Sequence, residues 1–369
     1  MFLPPFCPNK YCREHHREHP ARGWFSRNGF YPTTKGKRIQ RFICKKCGIR
    51  FSTQTFSIDI YTKRQVSYHY IFNQIKSGAG LRSISRDLKA STNLVTNRCS
   101  RLARQFIAMH ASIRNSMKLK EALGADGFES FVRSQYYPNN INLLAGKDSQ
   151  FIYLFNYAYM KRKGRMSPRQ KKLQEYLDTV ISLDTKSIQN TFSEAVMTAV
   201  RLIKRSGKKR VEFYTDQKKE YLPALEENKD IIEHKTVSSA EPRTFSNVLF
   251  SLNYLDREIR KDNANHVRET VQYARTVTNC MERLHIYAGY HNYVKPYRIA
   301  KGKELAGICH GEAAGIKAET IAREMRTIFT RRRFLSRVDL AVCEVLVWFR
   351  RLFTPPHIFD WEIPKYLYG

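Results

Sequence analysis

Two sets of residues have types and spacing suited to chemistry. The first is four cysteines in two pairs, Cys7-Pro-Asn-Lys-Tyr-Cys12 and Cys44-Lys-Lys-Cys47. Each pair reads as a turn that presents two thiolates to one ion, and Gly48 favours the backbone reversal after the second. Four sulfur ligands leave no open position on zinc, so the expected ion is structural. His15, His16 and His19 could replace a ligand but read as exposed polar residues of a basic loop; the alternative to a metal site is four free thiols in a reduced domain. The second set is two lone aspartates. Asp216 follows the β-branched and aromatic run Val211 to Tyr214, where a strand gives way to a helix. It either caps that helix or projects from the sheet edge toward a ligand. Asp126 sits among small residues in Ala122-Leu-Gly-Ala-Asp-Gly-Phe, another apolar strand. Two such carboxylates on separate core strands suit a divalent metal.

The elements that must hold these residues are legible in outline. The chain has 369 residues, room for two or three domains, and 42% hydrophobic content, which excludes a disordered chain. Its net charge is +32, and residues 1–120 carry +20 of that, with 24 Lys+Arg against 4 Asp+Glu. Such an excess points to a polyanion, nucleic acid before membrane. The apolar run Leu340 to Phe349 is interrupted by Glu344 and is too short to span a bilayer. Eight cysteines without even spacing, and no signal-peptide pattern after Met1, give a reducing cytoplasmic compartment as the expectation.

Residues 1–57 read as a zinc ribbon with strands over Trp24–Tyr31 and Arg38–Ile43. Residues 58–115 read as helical: Val66–Ile75, then Leu81–Leu88, a tight turn over Lys89–Asn93, and Leu94–Phe106. The last pair matches a helix-turn-helix. Thr96, Asn97, Arg98 and Arg101 are its candidate contacts to base edges, with a plain three-helix bundle as the alternative. Three strand candidates follow, Ala122–Val132, Ile141–Gly146 and Phe151–Met160, with Pro138-Asn139-Asn140 in a connection. Residues 167–206 are mostly helical; then come the strand ending at Asp216, a helix to Glu227, a strand over Ile231–Val237, and a long helix. Residues 301–369 are a helical C-terminal region whose Thr330-Arg331-Arg332-Arg333 cluster meets phosphate or forms a solvated turn.

This order of elements, with the cysteine pairs, Asp126, Asp216, the segment Asn253-Tyr-Leu-Asp256-Arg-Glu258-Ile-Arg260 and the segment Tyr290-His-Asn-Tyr-Val-Lys295-Pro, resembles bacterial insertion-sequence transposases of the DDE, RNase H-like type. The resemblance implies an α+β multidomain chain with an RNase H-like catalytic domain over residues 121–300, in which the strands carrying Asp126 and Asp216 are neighbours. It also implies a third acid near the start of the last helix, about two turns before a basic residue. Seven back from Arg260 stands Asn253, a departure from that pattern. Asp256 shares a face with Asn253 and Arg260, whereas Glu258 lies about 200° round the helix; Asp256 is the first choice, Glu258 the second and Glu269 the third. Implied cofactors are two Mg²⁺ (or Mn²⁺) ions beside the structural Zn²⁺, and implied partners are double-stranded DNA at element ends and target, with a homodimer joining two ends. His266, Arg268 and Lys295 are expected near flanking phosphates or in structural roles. The alternatives are a domesticated DNA-binding protein that has lost its site, and a nuclease of the same fold acting on branched DNA.

Overall fold

The computed structural model describes all residues except 1, 19, 21–22, 34–35, 239, 243, 245, 268–269, 299–301, 303–304, 357–361 and 366–369. His19, Arg268 and Glu269 thus lie outside the described residues. Among those described, twelve α-helices and two sheets form a mixed α/β chain.

The N-terminal part holds a one-turn helix α1 (Arg13–His16) and three antiparallel strands, β1 (Phe25–Pro32), β2 (Arg38–Cys44) and β3 (Arg50–Ser52). Its small core is aromatic, with Trp24 stacked on Phe51 at 5.7 Å between ring centroids. Helices α2 (Tyr68–Lys76) and α3 (Leu81–Asp87) follow, the first capped by the Ser67 hydroxyl. The third helix, α4 (Thr92–Ser116), is capped by Ser91 and runs 25 residues, well past the expected end at Phe106. Its second half is buried nearly all round, so no polar stripe marks its course. The residues of α2, α3 and α4 share one continuous core with those of the larger sheet, from Ile71 and Val95 to Leu123 and Phe213.

That larger sheet contains β4 (Leu123–Phe131), β5 (Pro138–Gly146), β6 (Ile152–Tyr159), β7 (Val211–Thr215) and β8 (Ile232–Thr236), in the order β6-β5-β4-β7-β8. The first three form an antiparallel meander, while β7 and β8 run parallel to β4. Two helices connect β6 to β7: α5 (Pro168–Val180), opened by a Ser167 capping box with proline in its first turn, and α6 (Ser187–Arg205). The short α7 (Leu222–Glu227) bridges β7 and β8. One face of the sheet packs on α6 through Phe192, Val196 and Ile203. The other meets α8 (Phe250–Asp262) and α9 (Val277–Tyr293) through Leu252, Leu255, Ile259 and Met281. Pro138, Asn139 and Asn140, expected in a connection, instead begin β5, and both asparagines are fully buried. Asn140 is satisfied by Asn142 and Lys218, and Asn139 Oδ1 accepts from the Ser130 hydroxyl at 3.0 Å, while the buried Asn139 Nδ2 has no partner.

The C-terminal helices α10 (His310–Ala313), α11 (Ala318–Met325) and α12 (Val342–Trp348) fold back over the rest. Glu344 of α12 forms a bidentate, fully buried ion pair with Arg114 of α4, both contacts at 2.8 Å. Between α11 and α12 the chain runs along the N-terminal part: Ile58 N–H donates to Thr330 O at 3.0 Å and Arg332 N–H to Phe56 O at 2.8 Å. No described helix is long and apolar enough to cross a membrane.

Candidate active site and cysteine cluster

β4 and β7 lie side by side and parallel, with Leu123 opposite Phe213 and Gly124 opposite Tyr214. Two residues further along each chain stand Asp126 and Asp216. Side chains two apart on a strand share a face, so Asp126 projects on the side where Gly124 and Phe128 meet α8. The contact at Gly124 is tight: a methyl group there would lie 2.8 Å from Leu252 Cδ1. The missing side chain lets α8 sit directly on the strand. From Leu252 to Asp256 is about 6 Å along a helix, and from Gly124 to Asp126 about 6.6 Å along a strand. The two steps match, so seating Leu252 on Gly124 carries Asp256 over Asp126.

The electrostatics follow from this convergence. Burial first, then the charges of Asp216 and Asp256, push the Asp126 carboxyl up to about 6, against the opposing pulls of the Gly127 N–H and Lys218. Asp126 Oδ1 accepts from Gly127 N–H at 2.7 Å, and Asp216 Oδ1 from Lys218 N–H at 3.2 Å. Asp216 thus closes a turn rather than capping the helix that follows, which corrects the helix-cap reading. Asp256 pairs with Arg260 at 3.2 Å.

Glu258, the second choice for the helix acid, is turned elsewhere. It is buried and meets Lys295 at 2.5 Å and Lys261 at 2.8 Å. Those lysines hold its carboxyl below the usual range despite burial, which acts the other way. The helical period excludes both acids from one face, and the seating of Leu252 selects Asp256. Lys295 is thereby committed to Glu258 and to Asp262 at 3.3 Å. His266 is buried too, with Nδ1 3.1 Å from the Ser130 hydroxyl, and burial drives its ring down to about 3. Both are held in contacts within the fold, the structural one of the two roles expected for them.

Three residues beside the aspartates escaped the sequence reading. Lys218 Nζ donates to Asn140 Oδ1 at 3.2 Å, and Asn140 Nδ2 donates to Asn142 Oδ1 at 2.7 Å. The Tyr221 ring stacks on Phe192 at 3.8 Å, and its buried hydroxyl, which feels the charges of Asp126 and Asp216, stands by Asn140 without a well-formed hydrogen bond. The available signal was the spacing Asp216-x-Lys218-x-x-Tyr221, which brings all three to one strand end.

The four cysteines gather as expected. Their sulfurs all lie within 4.8 Å of one another, with Cys7 and Cys47 at 3.6 Å and Cys12 and Cys44 at 3.8 Å. Tetrahedral zinc with bonds of about 2.3 Å needs sulfurs about 3.8 Å apart, so the cluster fits a structural zinc. His15 is no ligand: it is buried, its Nδ1 2.6 Å from Cys7 O and its Nε2 2.8 Å from the Ser336 hydroxyl. His16 Nε2 is spent on Lys10 O. Among the described residues, the cysteines are the one set of three or more such side chains whose ligand atoms are all this close; the three aspartates stand further apart.

The helix pair α3–α4 presents its polar residues differently from expectation. Arg98 is buried and donates to Arg64 O at 2.7 Å; Arg101 Nη1 donates to Ile58 O at 2.7 Å, and both guanidinium groups reach Asn97 Oδ1. These arginines clamp the segment before α2 onto α4, which corrects their assignment to base contacts. Thr96 stays partly open and Asn97 exposed. No protein-family model matches the chain, and no curated protein does.

Proposed function

We propose that the chain is a DNA transposase of the DDE, RNase H-like type, cutting element ends and joining the freed 3′-hydroxyl to target DNA. The observation that carries this reading is the placement of Asp126 and Asp216 at the same end of two adjacent parallel strands, with Asp256 on the helix packed across them near enough for both charges to be felt at Asp126. An all-oxygen donor set in which like charges already raise one carboxyl is suited to hard divalent cations. Asp126, Asp216 and Asp256 would hold Mg²⁺ or Mn²⁺, which supplies Lewis-acid polarisation of phosphoryl oxygens and a water of lowered pKa. Asp256 would leave Arg260 to take part, freeing that guanidinium for a phosphate oxygen. Lys218, at the same strand end, is placed to meet a second phosphate oxygen, and Asn140 and Tyr221 fix its reach. The +32 charge favours a polyanionic substrate. The cysteine ribbon and the α3–α4 pair, with Thr96 and Asn97 outward, supply surfaces for double-stranded DNA, and joining two ends calls for a homodimer.

The test is strand cleavage and strand transfer by the purified protein on its own flanking DNA, with Mg²⁺ and with chelator. Asp126→Asn, Asp216→Asn and Asp256→Asn should each abolish both reactions while duplex binding persists. Full activity in any one of them removes that residue from the scheme. Binding without cleavage by the unaltered chain would leave a DNA-binding protein only.

A further inference from the structure

Where the N-terminal part meets the chain between α11 and α12 there is a cavity of about 390 Å³. It shares no lining residue with the three aspartates. Five arginines and one glutamate line it, Arg323, Arg331, Arg332, Arg333 and Arg337 with Glu324. Glu324 is already engaged, by Arg333 at 2.6 Å and Arg323 at 3.5 Å. Arg337 spends its guanidinium on the main-chain oxygens of His15 and Arg17 and on the Phe6 ring, 4.3 Å from its centroid. Arg331 and Arg332 are exposed, and neither meets a carboxylate within 4.0 Å among the described residues. Arg332 instead lies over Phe334 at 4.8 Å. Arg332 also stands close enough to Arg101 for the two positive charges to be felt. The apolar wall is aromatic: Phe6, Phe56 and Phe334 meet edge-on or tilted at 5.1–5.6 Å.

We propose that this cleft binds an unpaired DNA strand, the phosphates on Arg331 and Arg332 and a base against the Phe6–Phe334 wall. Paired cationic and aromatic side chains are what single-strand sites use, because every base has a π face and every linkage a charge. The cavity is at the small end of ligand sites, about 300–1,000 Å³, room for a base and its linkage rather than for a stacked duplex. The proposal rests on reading the chain as a DNA-processing protein, since unpaired ends arise when a strand is cut.

The experiment is fluorescence anisotropy of a labelled twelve-residue oligothymidylate and of a mixed-sequence duplex of equal length, over a salt series, without Mg²⁺. It uses the zinc-loaded full chain, unaltered and as Arg331→Gln/Arg332→Gln. Zinc content and melting temperature of each establish folding, and both arginine side chains are exposed. The arginine variant should bind the single strand about tenfold or more weakly near 0.15 M salt, with a salt slope lower by about 1.4, at about 0.7 for each lost phosphate contact. Its duplex affinity should fall by much less. Equal losses for strand and duplex, or an unchanged single-strand affinity, would overturn the proposal. Strand cleavage with Mg²⁺ is measured separately on the unaltered chain, so failure of the cleavage reading and failure of the cleft are told apart.

Discussion

Removing one charge from the aspartate cluster should make the protein more stable, and the gain should follow pH in a defined way. Asp126 has its carboxyl raised from an ordinary 3.8 to about 6 by burial and by Asp216 and Asp256. In the unfolded chain those causes vanish. Below pH 4 the group is protonated in both states and nothing is lost. From about pH 4 to about pH 6 the carboxyl ionises in the unfolded chain while the folded protein keeps it protonated, so the stability present at low pH is lost progressively over that window and is fully lost above the folded value. At about 1.4 kcal/mol per tenfold change in proton affinity, the full cost above pH 7 is about 3 kcal/mol. Asp126→Asn keeps the shape and the oxygen that accepts from Gly127 N–H but cannot ionise. It should exceed the unaltered chain by about 2–3 kcal/mol at pH 8 and by about half that at pH 5.

The assay is urea denaturation followed by circular dichroism at several pH values, with zinc content checked at each. A second arm adds about 10 mM Mg²⁺ at pH 8. A cation that binds the folded carboxylates stabilises by mass action, so the gap should narrow, because only the unaltered chain keeps the full donor set. An Asp126→Asn protein no more stable than its parent at pH 8 would refute the clustering of charge. A gap independent of pH would show that the gain came from packing.

Three further outcomes follow from the same geometry. Asp256→Asn should lower the Asp126 carboxyl, read by carboxyl-carbon NMR titration, whereas Glu258→Gln should leave it in place. Glu258→Gln should instead cost about 1.5–3 kcal/mol in urea by stranding Lys295. Glu344→Ala removes the partner of the buried Arg114 and should cost about 3–5 kcal/mol, seen as a lower urea midpoint; a cost under 1 kcal/mol would mean that the guanidinium had found water. Zinc should be present at one ion per chain by elemental analysis, be lost in Cys44→Ser, and report through Trp24 fluorescence on chelation, since that ring packs in the cysteine module.

What the sequence carried well was local. Strand periods place β4, β6, β7 and β8 within about one residue of where they lie, because each has a β-branched or aromatic run bounded by breakers, whereas β5 begins at Pro138 rather than Ile141. Paired cysteine turns declare themselves for a similar reason: each half of the cluster is built within a few residues. What it carried poorly were residues whose meaning comes from a distant partner. Arg98 and Arg101 look like a recognition surface until Arg64 O and Ile58 O, 34 and 43 residues away, take their guanidinium groups. Glu344 reads as a flaw in an apolar run, and its reason is Arg114, 230 residues earlier. Pro138-Asn139-Asn140 has the composition of a turn, yet the antiparallel ladder with β4 claims it.

The helix acid lies between these cases, and it shows where function enters. Periodicity alone states that Asp256 and Glu258 cannot share a face; it cannot say which face meets the sheet. That choice is made by Gly124, where a side chain would collide with Leu252. A glycine with no role in the chemistry thus decides which carboxylate stands over Asp126. Gly124→Ala should push α8 away from β4 and lower the Asp126 carboxyl toward its ordinary value as Asp256 recedes, measurable by the same NMR titration. An unmoved carboxyl in a folded Gly124→Ala protein would mean that the cluster is held by something other than this contact.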